Sequence, residues 1–517
     1  MKTGCRKKTH APPEQGAAPR TRRGRGSAQG NPLASLKHLL VRKSEIGRIL
    51  HLKSEIRDIT LDGRVRSRRC NPISRISDLR CRIRPISDFR TMMTRLLTTV
   101  LLLLLFVAFP AFAQDPQQTV DRVMSLPAVR AAQQFVDSDH DRIVREIIAI
   151  NEVPAPPFKE TARGKLFAQL LRDSGAASVE TDAEGNVLAL RKGAGSGPLI
   201  VIAAHLDTVF PEGTDVRVRR EGNRLMAPGV GDNSRSLAVL LVLLRALDNA
   251  NVQTTSDILF VGDVGEEGPG DLRGMRYLFQ KGPYKDRIKM FISLDGAGSG
   301  SDIVTGALGS RRYHVVFRGP GGHSYGAFGL VNPAYALAKA VDRLSKITVP
   351  SVPRTTYNVG LLGGGTSVNS IPNEVFMDVD LRSESPQQLS RLSDEFMKQL
   401  RAAADDENRA RSTNQGRIEV EAKVIGERPS GTTPANSTIV RVATAAANRF
   451  GSVPTNSTGS TDANIPISLG IPAITLDSGG SGGRAHALDE WISVEKTSSA
   501  RGINLVMTTL LALAGVQ

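Results

Sequence analysis

The sequence predicts an α/β protein: a mostly parallel sheet with helices on both faces, interrupted by an inserted α+β domain. Three observations predict it. Short continuous apolar runs such as Leu199–Ala204, Ile258–Val261 and Met290–Leu294 alternate with helical segments, as strands buried on both faces of a parallel sheet do. Near Ala307 the texture changes to strands of alternating apolar and polar residues, the pattern of a half-exposed sheet. At Glu427 the α/β texture returns, so the smaller domain reads as an insertion. The boundaries expected are 114–306 and 426–517 for the two parts of the larger domain, and 307–425 for the insert.

Residues 118–150 carry apolar positions at helical spacing around Val120, Val123, Phe135, Ile143, Ile147 and Ile148. Glu180–Arg191 reads as a hairpin turning at Glu184-Gly185-Asn186. The strand Leu199–Ala204 follows, then a strongly apolar helix, Ser236–Leu247, and a second buried strand, Ile258–Val261. Asp271–Gln280 is helical, and the strand Met290–Leu294 ends at Asp295. The insert runs as strand Arg311–Phe317, helix Pro333–Leu344, strands Thr355–Gly360 and Val375–Arg382, helix Pro386–Ala404 and strand Arg417–Val424. That β-α-β-β-α-β order suits an antiparallel sheet with helices on one face. A strand at Ala473–Leu476 and a helix over Lys496–Leu513 complete the larger domain.

The net charge of +16 invites a nucleic-acid reading, and its distribution argues against one. Residues 1–91 hold 23 basic and 7 acidic side chains, leaving 44 of each for the remainder. The excess therefore belongs to an Arg-rich leader with short repeats (KSEI at Lys43 and Lys53, ISDLR at Ile76 and ISDFR at Ile86) and too little apolar surface to offset the entropy of folding. Met92-Met93-Thr94-Arg95 then opens onto LLTTVLLLLLFVAFPAFA, a basic start, an apolar run and an A-x-A site at Ala111-Phe112-Ala113. This is the pattern of a secretory signal peptide over 92–113. The expectation is that translation starts at Met92 or Met93, that residues 1–91 are a disordered basic leader arising as a start-site artefact, and that the product is exported, periplasmic or secreted. The alternative is an uncleaved anchor with a basic cytoplasmic tail, although a run of about 18 residues is at the short end for spanning a bilayer. All three cysteines, Cys5, Cys70 and Cys81, precede the cleavage site. The mature chain must therefore hold itself together without disulfides, and no lipid anchor or stable membrane insertion is expected after cleavage.

The chemistry collects at the ends of the buried strands. The first runs into His205-Leu206-Asp207. Gly229-Val230-Gly231-Asp232-Asn233 places Asp232 just before the apolar helix, the second strand leads to Glu266-Glu267, and the third ends at Asp295. A late loop rich in glycine and serine, SGGSGGRAHALDEW, delivers His486. Open α/β sheets bind ligands outside the carboxyl ends of their strands. Taken singly, each residue has a bland explanation: a satisfied core histidine, a helix cap at Asp232, solvated loop acids, a surface histidine. Together they form two histidines and five carboxylates at one sheet edge, and clustered like charges need compensation. Two divalent cations about 3.5–4 Å apart, bridged by one carboxylate, would supply it, and imidazole with carboxylate suits zinc, with cobalt or manganese as substitutes.

HLDTV, the GDN loop, the Glu-Glu pair, LDG, GPGGHS and RAHALDEW resemble, in order, the motifs of the di-zinc metallopeptidase family of the glutamate carboxypeptidases, peptidase T, aminoacylase and succinyl-diaminopimelate desuccinylase. The resemblance covers essentially the whole mature chain. It implies a phosphorylase/hydrolase-like zinc-peptidase catalytic domain with an inserted lid and dimerisation domain. Carried over by position, it makes Asp232 the bridging ligand, with His205 and Asp295 completing one zinc, and Glu267 and His486 the other. It makes Asp207 the acid that orients His205 through its far N–H, and Glu266 the general base. Asp232-Asn233 stands where the family usually has Asp-Asp, which leaves the ligand in place and bears on the strained peptide bond that usually follows it. In the lid, His323 of RGPGGHS corresponds to a histidine that reaches a partner's site and stabilises the oxyanion, which implies a homodimer. Asn369 and Arg382 match positions that hold the substrate's carboxylate or carbonyl. Ser460–Asn464 matches a substrate-side loop without an assigned role, and His140 and His314 read as structural.

The function expected is an exported zinc exopeptidase acting on short peptides, with no nucleic-acid partner. The alternative on the same site is an N-acyl amino acid deacylase. A non-catalytic binding protein would lack the base or a ligand, and neither is missing here. DNA binding by the leader would be salt-sensitive and would vanish on removal of residues 1–113.

Overall fold

The computed structural model describes residues 115–517, so the predicted leader, the signal segment and the three cysteines lie outside the described residues. Among the described residues, no helix is long and apolar enough to cross a membrane.

A nine-stranded mixed sheet forms the larger domain. Its centre is parallel: Ile258–Asp263, Leu199–His205, Ile288–Leu294 and Ala473–Leu476 lie side by side in that order. All seven residues of Leu199–His205 are buried, because helices cover both faces and leave no face for polar side chains. The helix Ser236–Asn249 packs on one face with every residue through Leu247 buried, and Lys496–Ala514 lies on the same apolar core. On the other face, Arg273–Gln280 and Asn464–Ser468 supply Met275, Leu278 and Ile465. Antiparallel strands flank the parallel centre. The hairpin Val179–Thr181 with Val187–Arg191 closes one edge, as its turn signal predicts, and Asp302–Ala307 with Gly431–Thr432 the other.

The helical spacing over 118–150 resolves into three helices rather than one: Pro116–Ser125, Pro127–Ser138 and His140–Asn151. Leu126 is extended because the residue before a proline is pushed out of the helical region, and Pro127 then opens the next helix where its missing N–H costs nothing.

The insert is a four-stranded antiparallel sheet ordered Thr355–Gly364, Glu374–Ser383, Gly309–Arg318, Glu419–Arg428. Glu374–Ser383 alternates buried and partly exposed residues, and its buried Val375, Met377, Val379 and Leu381 pack against the helices Pro333–Leu344 and Pro386–Ala410. The β-α-β-β-α-β order is the predicted one, and both ends of the insert return to the large sheet. A second small sheet, absent from the sequence reading, joins Arg219–Glu221 and Arg224–Met226 to Trp491–Ser493 and Ser481–Gly483. It frames the loop that carries His486.

Candidate metal centre

Three parallel strands end at one edge, and that edge collects the site. His205 is the last residue of the central strand, paired in register with Asp263 at the end of its neighbour. Glu266 and Glu267 follow Asp263 within one turn, and Asp295 follows the strand on the other side. Asp232 comes from the irregular turn that opens the helix Ser236–Asn249, across a cis Asp232–Asn233 peptide bond. Asn233 stands where the resemblance gives the family an aspartate. Asn233 instead donates through Nδ2 to the Leu294 carbonyl at 2.8 Å, a bond an ionised aspartate could not make. It ties the Asp232 turn to the strand end that bears Asp295.

The donor atoms converge on two points. His205 Nε2 lies 3.0 Å from Asp232 Oδ1 and 3.8 Å from Asp295 Oδ1. His486 Nε2 lies 3.0 Å from Asp232 Oδ2 and 3.0 Å from Glu267 Oε1. In each trio the ligand atoms fall within 4.8 Å of one another, as they also do for His205, Glu266 and Glu267. Asp232 Oδ1 is buried and makes no hydrogen bond despite its closeness to His205 Nε2, which is how two ligands of one ion face each other. The two oxygens of Asp232 thus serve two donor sets. The residues fit a pair of divalent cations bridged by Asp232.

Asp207 does more, and something different, than the sequence predicts. Its carboxylate accepts the backbone N–H groups of Glu266 at 3.0 Å and Glu267 at 2.8 Å. The nearest partner of His205 Nδ1 is the Asp207 backbone carbonyl at 3.0 Å, with the carboxylate at 3.6 Å. The expectation that the carboxylate takes the imidazole N–H is corrected accordingly. The carbonyl fixes the tautomer that leaves Nε2 free for a cation, and the carboxylate fixes the Glu-Glu turn.

Electrostatically the cluster is short of positive charge. Burial pushes Glu266 up to about 8, against the nearby Arg428, and burial also raises Glu267. His486 is raised to about 11 by its hydrogen bonds to Asp232 and Glu267. Burial opposes protonation of His205, yet the carboxylates of Asp207, Asp232 and Asp295 outweigh it and hold the imidazole well above its usual range. Protons on the histidines thus stand where cations would sit.

A model of peptidase family M20/M25/M40 matches residues 201–512, more than half of the chain. The chain belongs to this family. It is 25% identical over 376 residues to the uncharacterized protein YqjE of Bacillus subtilis, covering 69% of this chain and 94% of that one. The fold is that of aminopeptidase PepT from Bacillus cereus (TM-score 0.59, 24% identity, 73% of this chain and 99% of that chain). It is also that of the Bacillus subtilis YXEP protein, a dinuclear metal-binding M20 peptidase (TM-score 0.53, 17% identity, 73% and 99%). The chain is a metallo-hydrolase of this family, with an inserted lid on its catalytic domain.

Within this M20 hydrolase, the structure gathers seven of the ten predicted site residues: His205, Asp207, Asp232, Glu266, Glu267, Asp295 and His486. The three lid residues stand apart from them. His323 is exposed on a two-residue strand paired with Ser370–Ile371, and its Nδ1 accepts the Tyr325 and Gly326 amides. Asn369 is exposed, and Arg382 donates to Asp380 at 2.6 Å. None of their hydrogen bonds reaches the cluster.

Sequence reasoning gave no role to four contributors. Arg428, at the end of the last lid strand, donates through Nη1 to Glu266 Oε1 and Ser460 Oγ, and through Nη2 to the Glu266 carbonyl. A lone arginine between Glu427 and Pro429 carries no signal of that pairing. Asp263 and Asp462 are both fully buried beside the site, and burial raises both, Asp263 to about 7. Glu490 lies within the quoted RAHALDEW motif, but its place in the site depends on a loop some 260 residues away.

Proposed function

We propose that this M20 hydrolase is an exported two-zinc exopeptidase that cleaves a terminal amide bond of short peptides. The observation that carries the reading is Asp232, whose two oxygens face separate histidine–carboxylate sets, with buried Glu266 beside them. His205 and Asp295 would hold one cation, His486 and Glu267 the other. When bound, the cations supply Lewis acidity to the scissile carbonyl, bring the pKa of a water to about 7 and favour ionised Glu266.

The chain's own residues do the rest. Arg428 occupies Oε1 of Glu266 at 2.9 Å, leaving Oε2 to take a proton from water and hand it later to the leaving amine. Asp207 keeps the Glu266-Glu267 turn rigid through its two amide bonds, so base and ligand move together. Arg382 and Asn369 hold the substrate's carboxylate or carbonyl, for which the planar guanidinium fork is suited. His323 serves the oxyanion in the active site of a second copy. The homodimer reading is supported by the outer lid strand Thr355–Gly364, which pairs on one side only among the described residues and exposes Leu361 and Leu362. Export rests on the signal pattern at 92–113, and zinc on the mixed imidazole and carboxylate donors.

The test is a zinc-loaded sample set against a mixed library of dipeptides, tripeptides and N-acyl amino acids, read by mass spectrometry with a chelated control. Chelator-sensitive trimming from one end supports the exopeptidase and names its polarity. Release of acyl groups alone moves the enzyme to the deacylase branch, and a library left intact overturns the reading.

A further inference from the structure

We infer that Glu490 is a positioning residue that locks the bridging aspartate to the histidine loop. This rests on the reading of Asp232 as the ligand shared by two cations. The Glu490 side chain is buried and accepts three backbone amides of a single turn: Gly229 on Oε2 at 2.9 Å, and Gly231 and Asp232 on Oε1 at 2.8 Å each. Those N–H groups precede the helix Ser236–Asn249 and have no partner in its ladder, so a carboxylate is their acceptor. Gly231 leaves the room required, since a Cβ there would stand 2.9 Å from Oε1. Glu490 also grips with its main chain. Its carbonyl accepts the Ala227 amide at 3.1 Å, and its own amide donates to Ala487, next to His486, at 3.0 Å.

One residue therefore joins the turn that presents Asp232 to the loop that presents His486. Those ligands come from segments about 250 positions apart, and beside the direct approach of His486 Nε2 to Asp232 Oδ2 the Glu490 side chain ties the two segments together. His486 itself is at φ +65° on an exposed stretch, where its own side chain reaches Asp232 and Glu267 at 3.0 Å each. Without Glu490, the Asp232 amide loses its acceptor and the turn is free to rotate the carboxylate away from one cation.

Glu490→Gln keeps the size and one acceptor but turns an N–H donor toward the Gly229 amide. The test titrates Co²⁺ into wild type and Glu490→Gln by calorimetry and visible absorption, with Glu407→Gln, a buried lid carboxylate remote from the site, as the stability control. The variant is expected to bind one of two Co²⁺ ions ~10–100-fold more weakly and to show an altered Co²⁺ spectrum, while Glu407→Gln keeps the wild-type affinity and spectrum. Wild-type affinity and spectrum in Glu490→Gln would overturn the inference. Wild type that binds no Co²⁺ would instead sink the metal reading. Amide exchange on the cation-free wild type then decides for Glu490: slow exchange at Gly229, Gly231 and Asp232 supports it, and free exchange overturns it, even if the variant does not fold.

Discussion

Arg428 Nη1 lies 2.9 Å from Glu266 Oε1, and the two side chains are almost fully buried although 162 positions separate them. The arginine ends the last lid strand and the glutamate follows a central strand of the catalytic sheet, so the contact crosses the junction between lid and core. A buried carboxylate is costly alone and tolerable beside a guanidinium that also bonds its main chain. The lid therefore supplies the charge that keeps Glu266 in place.

Arg428→Met should destabilise the cation-free protein by about 1–3 kcal/mol, the cost of leaving the buried Glu266 carboxyl and carbonyl without their donor. Urea denaturation of chelated samples measures it. A change under about 1 kcal/mol would mean that the pair is not formed in solution.

Glu266→Ala should retain both cations and lose orders of magnitude in turnover, because the proton carrier goes while the ligands stay. Metal analysis with turnover on the same sample checks it. Loss of the cations would show that Glu266 is a ligand and that another group is the base.

Stability of the cation-free protein should fall as pH rises from about 5 to about 8. Burial pushes Asp263, Glu266 and Glu490 up to about 7, 8 and 7, and hydrogen bonds to Asp232 and Glu267 lift His486 to about 11. Each of these groups binds its proton more tightly in the folded state. The folded chain therefore holds more protons than the unfolded one throughout that window, and raising the pH favours unfolding. Added Zn²⁺, displacing those protons, should raise Tm more at pH 8 than at pH 5. A Tm that rises across the window in chelator contradicts the assignment.

His323→Ala and Glu266→Ala should each be nearly inactive, and their mixture after subunit exchange should recover about a quarter of wild-type turnover. Half of the dimers are then mixed, and each mixed dimer has one site with an intact base and an intact partner histidine. Mixing that restores nothing would place His323 outside the partner's site.

The large sheet was legible because its strands are buried on both faces and read as unbroken apolar runs, and the lid because half-exposed strands alternate. The break at Pro127 was in the sequence too, yet the helical spacing on either side of it hid the turn. For the site, His205 and Asp295 could be placed in advance because parallel strands deliver their last residues to one edge, and Asp232, Glu267 and His486 through the motifs of the loops beside it. The acceptors were another matter. Motif spacing fixes which side chain arrives, whereas a carboxylate chooses between an imidazole and two amides by sub-ångström differences in distance, and Asp207 went to the amides.

By itself, then, the sequence determined an α/β hydrolase scaffold, an insert and a set of candidate cation ligands, since periodicity and strand-end chemistry are local properties of the chain. Only the tertiary structure decided which groups brace that set. Arg428 on Glu266, Asp207 on the Glu-Glu turn and Glu490 on the Asp232 turn depend on the packing of segments between 59 and 261 positions apart, which no local pattern encodes.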